Sequence, residues 1–226
     1  MVFLTQLNNE GDDVTLNRNT IWTIFIFLAV LNSPLLFQVL GQTRNIVLNG
    51  TALTYLVGAT VLIWLYKKSS KQGTLSESKK QVSRMKIIVV GVSGIFLSLI
   101  LQGVLTQLDS QLFNQPIESQ NTQTIMALVK QAPLYIIAVS IAGPIMEELV
   151  FRFSLTNWLG QRMPIWLAAG ISSFLFAIMH NDGHWLVYGG LGLLFFIIYQ
   201  RTNSIWSAII THAGMNTLVV CLQLFS

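Results

Sequence analysis

Residues 131–152 read QAPLYIIAVSIAGPIMEELVFR, an apolar run with two adjacent glutamates near its end. A helix needs ~20 mostly apolar residues to cross the ~30 Å hydrocarbon core of a bilayer, so this run is long enough to span one. Similar runs recur along the 226-residue chain. They predict about seven transmembrane helices, at 20–40, 46–66, 87–107, 131–152, 165–180, 185–200 and 205–225. The predicted fold is therefore an all-α, polytopic transmembrane helical bundle.

The composition favours a membrane protein over a water-soluble one. Hydrophobic residues make up 53% of the chain and charged residues 10%, against about 25% charged in soluble domains. A soluble fold of this composition would expose more apolar surface than monomers tolerate. The net charge of +4 comes largely from one basic cluster, so we expect no nucleic-acid partner. Cys221 is the only cysteine, which leaves no disulfide framework and no cysteine metal site.

The distribution of charge divides the chain into three parts. Residues 1–19 are polar and lack the basic start and cleavage site of a secretory signal, so we expect the first apolar run to be a retained anchor. Residues 20–107 contain three predicted helices, and the basic loop at 67–86 is expected on the cytoplasmic side. Residues 130–225 hold the polar residues described next. We predict a multi-pass protein of a bacterial plasma membrane, in contact with membrane lipid.

Four polar side chains in three neighbouring predicted spans point to chemistry, because polar and ionisable groups inside a bilayer are costly and usually functional. They are Glu147, His180, His212 and Asn216. At the helical rise, Glu147 and His180 lie ~20 Å and ~24 Å from the inner ends of their helices, so they can meet at one level. His212, counted from Ser204, lies only ~12 Å up. Helix tilt or a re-entrant start is needed to bring His212 to the others.

The two adjacent glutamates are expected to have different roles. Glu148 and Arg152 are four residues apart, share a helix face and are predicted to form an ion pair. Glu147 is rotated ~100° away, and its face carries small residues such as Gly143. Pro144 lacks an N–H group and is expected to open the helix locally. Glu147 is thus the candidate base, and Glu148 and Arg152 are supporting residues.

This set of side chains contains a base, two imidazoles and an amide, without an evident nucleophilic serine or cysteine. It favours the attack of an activated water on a carbonyl group. In one version Glu147 and His180 activate the water, while His212 and Asn216 donate hydrogen bonds to the oxyanion, and no cofactor is needed. In the other version Glu147, His180 and His212 bind zinc, and the metal activates the water.

Three motifs in a fixed order resemble the signature of the CAAX-protease and bacteriocin-processing (CPBP, or Abi) family, whose members are also called type II CAAX prenyl endopeptidases. The motifs are Glu147-Glu148-x-x-x-Arg152, Phe176-x-x-x-His180 and His212-x-x-x-Asn216. The resemblance covers about residues 130–225. It implies a glutamate-type intramembrane protease that acts on a membrane-associated peptide or protein. It also implies a role in bacteriocin immunity or peptide maturation.

Two other classes of protein remain open from the sequence. One is a non-catalytic immunity or regulatory membrane protein. The other is a proton-coupled transporter, although the chain lacks the repeated halves that many transporters carry. The segment Gly91-Val92-Ser93-Gly94 also fits the pattern around a rhomboid serine. Because His-x-x-x-Asn precedes that serine in rhomboids and follows it here, we interpret the segment as helix packing material.

Two further groups of residues are given structural interpretations. Asp182 and His184 are expected in a wetted loop at the mouth of the site. The stretch Phe195, Phe196 and Tyr199 is expected to face lipid or the membrane interface, as are the four tryptophans of this half of the chain. These tryptophans are Trp158, Trp166, Trp185 and Trp206.

Overall fold

The computed structural model describes residues 18–70 and 82–225, in which helices are joined by short turns and no strand occurs. The predicted segment 1–19 and the basic loop at 67–86 lie largely outside the described residues. The first predicted span is a bent pair, α1 (Arg18–Leu31) and α2 (Ser33–Val39), with 47° between the two helices. Pro34 stands in the first turn of α2, where a missing N–H is tolerated.

The next two helices match their predicted spans and extend beyond them. These are α3 (Arg44–Ser70) and α4 (Arg84–Phe113). The polar connection after α4 contains an amphipathic helix, α5 (Gln120–Gln131), that the sequence did not predict. Ser119 caps α5 by accepting a hydrogen bond from the N–H of Thr122 at 3.2 Å.

The predicted fourth span is a helix whose hydrogen-bonding pattern changes several times. It runs through α6 (Tyr135–Ile137), π1 (Ala138–Ala142), α7 (Gly143–Glu147), π2 (Glu148–Leu155) and α8 (Thr156–Gly160). Pro144 is in the first turn of α7 and cannot donate a backbone hydrogen bond, in line with the predicted local opening. The change from α to π winding falls between Glu147 and Glu148. Such π segments are rare and frequently occur at functional sites.

Three helices complete the bundle: α9 (Ile165–His180), α10 (Trp185–Thr202) and α11 (Ile205–Phe225). By length and composition, α3, α4 and α11 can each cross a membrane, and the bent α1–α2 pair can form a fourth span. Many large apolar side chains point outward, as a lipid-covered surface requires, among them Phe25, Leu53, Phe96 and Ile100. The described chain is an all-helical membrane bundle, as predicted.

The centre of the bundle lies around α10, which packs against α4, α9 and α11. Phe195, Phe196 and Tyr199 are buried there, so the prediction that they face lipid or the interface is wrong. Neighbouring helices surround this part of α10, and a sequence pattern does not distinguish burial by lipid from burial by protein. Trp166 and Trp185, in contrast, are exposed, as expected for interfacial residues.

Helices α4 and α11 make a close contact through glycine. A Cβ atom at Gly91 would lie 2.9 Å from the side chain of Ile210, and the Thr211 hydroxyl donates to the Gly91 carbonyl at 2.9 Å. Ser93 is exposed on the other side of α4. The rhomboid-like segment is therefore a packing face, as interpreted. This contact also fixes how far α11 lies along α4, and with it the position of His212.

Candidate active site

His180 is held in one orientation at the end of α9. Its Nδ1 lies 2.9 Å from the carbonyl oxygen of Phe176, one helical turn earlier. A carbonyl only accepts, so Nδ1 carries the proton, and Nε2 of the neutral ring is left as an acceptor. The imidazole also stacks on Tyr188, with ring centres 3.8 Å apart and 21° between the planes. The spacing Phe176-x-x-x-His180 thus has a direct structural reason.

His212 on α11 lies between the two adjacent glutamates. Its Nδ1 is 2.9 Å from Oε1 of Glu148, and its Nε2 is 3.6 Å from Oε2 of Glu147. The ring stacks on Phe195, with centres 4.6 Å apart and 22° between planes. His212 therefore lies at the level of Glu147 despite the lower position expected from the helical rise, on a helix that packs against both α4 and α7. No spacing in the sequence indicates that the ring contacts Glu148.

Glu147 is the less enclosed of the two glutamates. Its side chain is 19% exposed, whereas that of Glu148 is 0% exposed. A Cβ atom added to Gly143 would lie 3.9 Å from Oε1 of Glu147, so the small residue predicted on this face does lie beside the carboxylate. A reactive carboxylate needs access to water and substrate. Of the two glutamates, Glu147 is the one with an exposed side chain.

Glu148 and Arg152 form the predicted ion pair in the core. Nε of Arg152 lies 3.4 Å from Oε2 of Glu148, and both side chains are buried. The guanidinium lies over the ring of Phe176, 4.2 Å from its centre, which is cation–π geometry. A Cβ atom at Gly192 would come within 2.9 Å of Nη2, so this glycine leaves space for the arginine.

A cavity of about 710 Å³ lies between α4, α5, α9, α10 and α11. His180, His212 and Asn216 are in its wall, which brings three of the four predicted site residues together. Glu147 reaches this group through its contact with His212. The volume is within the ~300–1,000 Å³ typical of ligand sites. Helix α5 forms one side of it through residues such as Thr122 and Met126.

Aromatic rings on α10 hold both histidines, a role that the sequence prediction missed. Tyr188 stacks on His180 and Phe195 stacks on His212. The two aromatic residues are seven apart, so they share one face of α10. The i, i+7 spacing of these two aromatic residues could have indicated that they contact the histidines, but the same spacing is equally typical of ordinary core packing.

The loop after α9 is not the wetted loop that was predicted. His184 is buried, and its Nδ1 lies 2.9 Å from Oδ2 of Asp109, which is buried near the end of α4. Asp182 is half-buried and accepts hydrogen bonds from Ser119 and Tyr188 at 2.6 Å and 3.0 Å. These hydrogen bonds offset part of the cost of burying the polar groups, although Nε2 of His184 has no hydrogen-bond partner among the described residues. The loop is therefore a structural junction in the wall of the cavity.

The zinc alternative rests on Glu147, His180 and His212. Within residues 18–70 and 82–225, no three side chains of His, Cys, Asp or Glu are grouped so as to hold a metal ion. His212 directs Nδ1 to Glu148 and Nε2 towards Glu147, while His180 uses Nδ1 for a backbone carbonyl. The zinc version remains an alternative for experiment.

These features define a class of protein, a helical membrane bundle with a glutamate–histidine site beside an internal cavity. Residues 129–218 match the family model of Rce1-like type II CAAX prenyl endopeptidases. YdiL of Bacillus subtilis (strain 168), a proposed membrane peptidase, is 34% identical over 211 residues, covering 90% of this chain and 86% of YdiL. The membrane-embedded CAAX protease MroQ of Staphylococcus aureus (strain USA300) is 32% identical over 179 residues, covering 76% of this chain and 72% of MroQ. No solved structure matches the chain significantly.

The chain belongs to this CAAX protease family of membrane peptidases. The three motifs lie within the matched region, and they supply the two glutamates beside His212 and four residues of the cavity wall.

Proposed function

We propose that the protein is an intramembrane endopeptidase that cleaves a membrane-associated peptide or protein with a water activated by Glu147 and His180. The observation that carries the proposal is the position of Glu147. Its partly exposed carboxylate lies 3.6 Å from Nε2 of His212, and His212 shares the wall of the cavity with His180 and Asn216. Membership of a family of membrane peptidases supports hydrolysis as the reaction.

In the first step, water enters between Glu147 and His180. Nε2 of His180 is the free acceptor of that ring, since Nδ1 is used by the Phe176 carbonyl. It holds one water hydrogen, while the Glu147 carboxylate accepts the other proton. The water oxygen attacks the carbonyl carbon of the scissile bond, and the carbonyl oxygen becomes an oxyanion.

In the second step, the oxyanion accepts hydrogen bonds from Asn216 and His212, which lie one helical turn apart on α11. The intermediate then collapses. The C–N bond breaks, and the amine leaves with the proton held by Glu147. The products are a carboxylic acid and an amine, and Glu147 is again ionised.

The role given to His212 depends on its ring protonation. Nδ1 donates to Glu148, so a second N–H, at Nε2, exists only when the ring is an imidazolium.

The substrate is proposed from the cavity and its surroundings. The cavity has both polar and apolar lining, and α5, an amphipathic helix, forms one wall. An extended peptide segment beside the membrane fits this combination. Bacteriocin immunity or maturation of a peptide remains the proposed physiological role, in a bacterial plasma membrane.

The test uses purified full-length protein in lipid nanodiscs, incubated with membrane-anchored peptides, with products identified by mass spectrometry. Glu147→Gln should lower kcat by ~10²–10⁴-fold while thermal unfolding stays unchanged. The matched control is Glu118→Gln, which removes a carboxylate from the exposed rim of the same cavity and should keep kcat. Equal turnover by wild type and Glu147→Gln would overturn the mechanism. A wild type that cleaves no peptide while retaining a cellular immunity phenotype would favour the non-catalytic alternative.

A further inference from the structure

The four-residue loop 181–184 connects several parts of the candidate site. Asn181 and Gly183 have positive φ angles of 51° and 86°, which reverse the chain between α9 and α10. Between them, Asp182 uses both carboxylate oxygens. Oδ1 accepts the N–H of His184 at 3.3 Å, and Oδ2 accepts the hydroxyls of Ser119 and Tyr188.

Tyr188 links this carboxylate to His180. Its hydroxyl donates to Asp182 at 3.0 Å, and its ring stacks on the imidazole at 3.8 Å. Phe176 contacts the imidazole from another side, with ring centres 4.6 Å apart. The Tyr188 ring restricts the rotation of the imidazole only while the Tyr188 ring is itself held in place. The hydrogen bond from the Tyr188 hydroxyl to Asp182 holds it.

Ser119 explains why the carboxylate keeps its direction. Its hydroxyl donates to Oδ2 of Asp182 at 2.6 Å and accepts the N–H of Thr122 in the first turn of α5. The same oxygen therefore anchors Tyr188 and the start of the helix that forms one wall of the cavity.

We propose that Asp182 is a positioning residue for His180, acting through the hydrogen-bonded and stacked Tyr188. It does not contact the reacting atoms. Its function is to keep the imidazole in the one orientation that leaves Nε2 available to water. The catalytic consequence of this orientation rests on the proposed function. The orientation of the His180 ring itself can be measured in protein that cleaves no substrate.

The direct test is NMR of the full-length protein in nanodiscs with ring-labelled histidine. The chain contains three histidines, so their signals can be assigned with single His→Gln variants. Tyr188→Leu removes the stacked ring and defines the unstacked signal of His180. In Asp182→Asn, the amide nitrogen that replaces Oδ2 cannot accept hydrogen bonds from the hydroxyls of Ser119 and Tyr188. Tyr188→Phe removes the tyrosine hydroxyl that donates to Asp182. In both variants the His180 signal should move towards the Tyr188→Leu position, while that of His212 stays.

The matched control is Tyr199→Phe. It removes a buried hydroxyl from the same helix, at 3.4 Å from Nδ2 of Asn157 and far from His180. This variant should leave the His180 signal in place. An unmoved His180 signal in Asp182→Asn and Tyr188→Phe would overturn the proposal, as would an equal displacement in Tyr199→Phe.

Kinetics give a second readout. Asp182→Asn and Tyr188→Phe should each lower kcat by about tenfold with little change in KM, because a misplaced catalytic group slows the reaction more than it weakens binding. The double variant should be no slower than Asp182→Asn alone, since Tyr188→Phe breaks a connection that Asp182→Asn has already removed. Additive losses or unchanged kcat values would overturn the proposal. If the wild type cleaves nothing, the proposed function fails, and the NMR result still decides the position of His180.

Discussion

Nδ1 of His212 lies 2.9 Å from Oε1 of Glu148, so the second glutamate of the pair contacts a candidate catalytic ring. The other oxygen of Glu148 lies 3.4 Å from Nε of Arg152. A residue expected only to pair with the arginine therefore also orients the imidazole. The fully buried carboxylate of Glu148 thus has two partners, whereas the neighbouring side chain of Glu147 is 19% exposed.

Glu148→Gln should destabilise the protein by about 3–5 kcal/mol, because it leaves the buried Arg152 without its counter-charge. Reversible unfolding in detergent micelles measures this. The double variant Glu148→Gln/Arg152→Met should recover most of the stability, since no uncompensated charge remains. We expect cleavage to stay impaired in the double variant because His212 still lacks its carboxylate. Full recovery of cleavage would show that Glu148 serves the ion pair alone.

Asn216→Ala should lower kcat by ~10²–10³-fold with little effect on KM, the result expected when an oxyanion donor is removed. Steady-state kinetics on a cleaved peptide separates the two constants. Asn49→Ala, at an exposed position of α3, is the matched control and should behave as wild type. A rise in KM with constant kcat would instead assign Asn216 to substrate binding.

Gly192→Ala should destabilise the protein by about 1–3 kcal/mol, the usual cost of overpacking a core. The new methyl group would lie 2.9 Å from both Nη2 of Arg152 and Cβ of Ser173. Gly189→Ala on the same helix meets no atom within 4 Å, so it should be neutral or slightly stabilising. The difference between the two thermal unfolding curves is the measurement. Equal curves would mean that Arg152 moves freely away from α10.

Chelation distinguishes the two versions of the chemistry. If Glu147 and His180 activate the water without a metal ion, overnight dialysis against a strong chelator should leave cleavage unchanged. Loss of activity that Zn²⁺ alone restores would establish the zinc version with Glu147, His180 and His212 as ligands. Elemental analysis of the active protein before and after dialysis is the control.

Much of the fold was predictable because membrane helices follow from long apolar runs. Helices α3 and α4 contain their predicted spans, and the i, i+4 spacing correctly predicted the pair of Glu148 and Arg152. The amphipathic helix α5 was missed, since its polar residues resemble a connecting loop. The prediction for Phe195 failed for a related reason: apolar residues face protein and lipid alike inside a membrane.

The arrangement of the site depended on contacts between helices. The rise per residue placed His212 too low, whereas its Nε2 lies 3.6 Å from Oε2 of Glu147 in the packed bundle. The buried pair of Asp109 and His184 joins residues 75 positions apart, a distance at which no sequence spacing is informative.

The sequence by itself determined the class of fold, the family motifs and the candidate residues, because hydrophobicity and helical spacing are local properties. The tertiary structure decided which residues meet. It placed His212 between the two glutamates, set Tyr188 against His180 and made Asp182 the anchor of that ring. These relationships depend on the rotation and axial offset of one helix against another, which are determined by side-chain packing across the whole bundle.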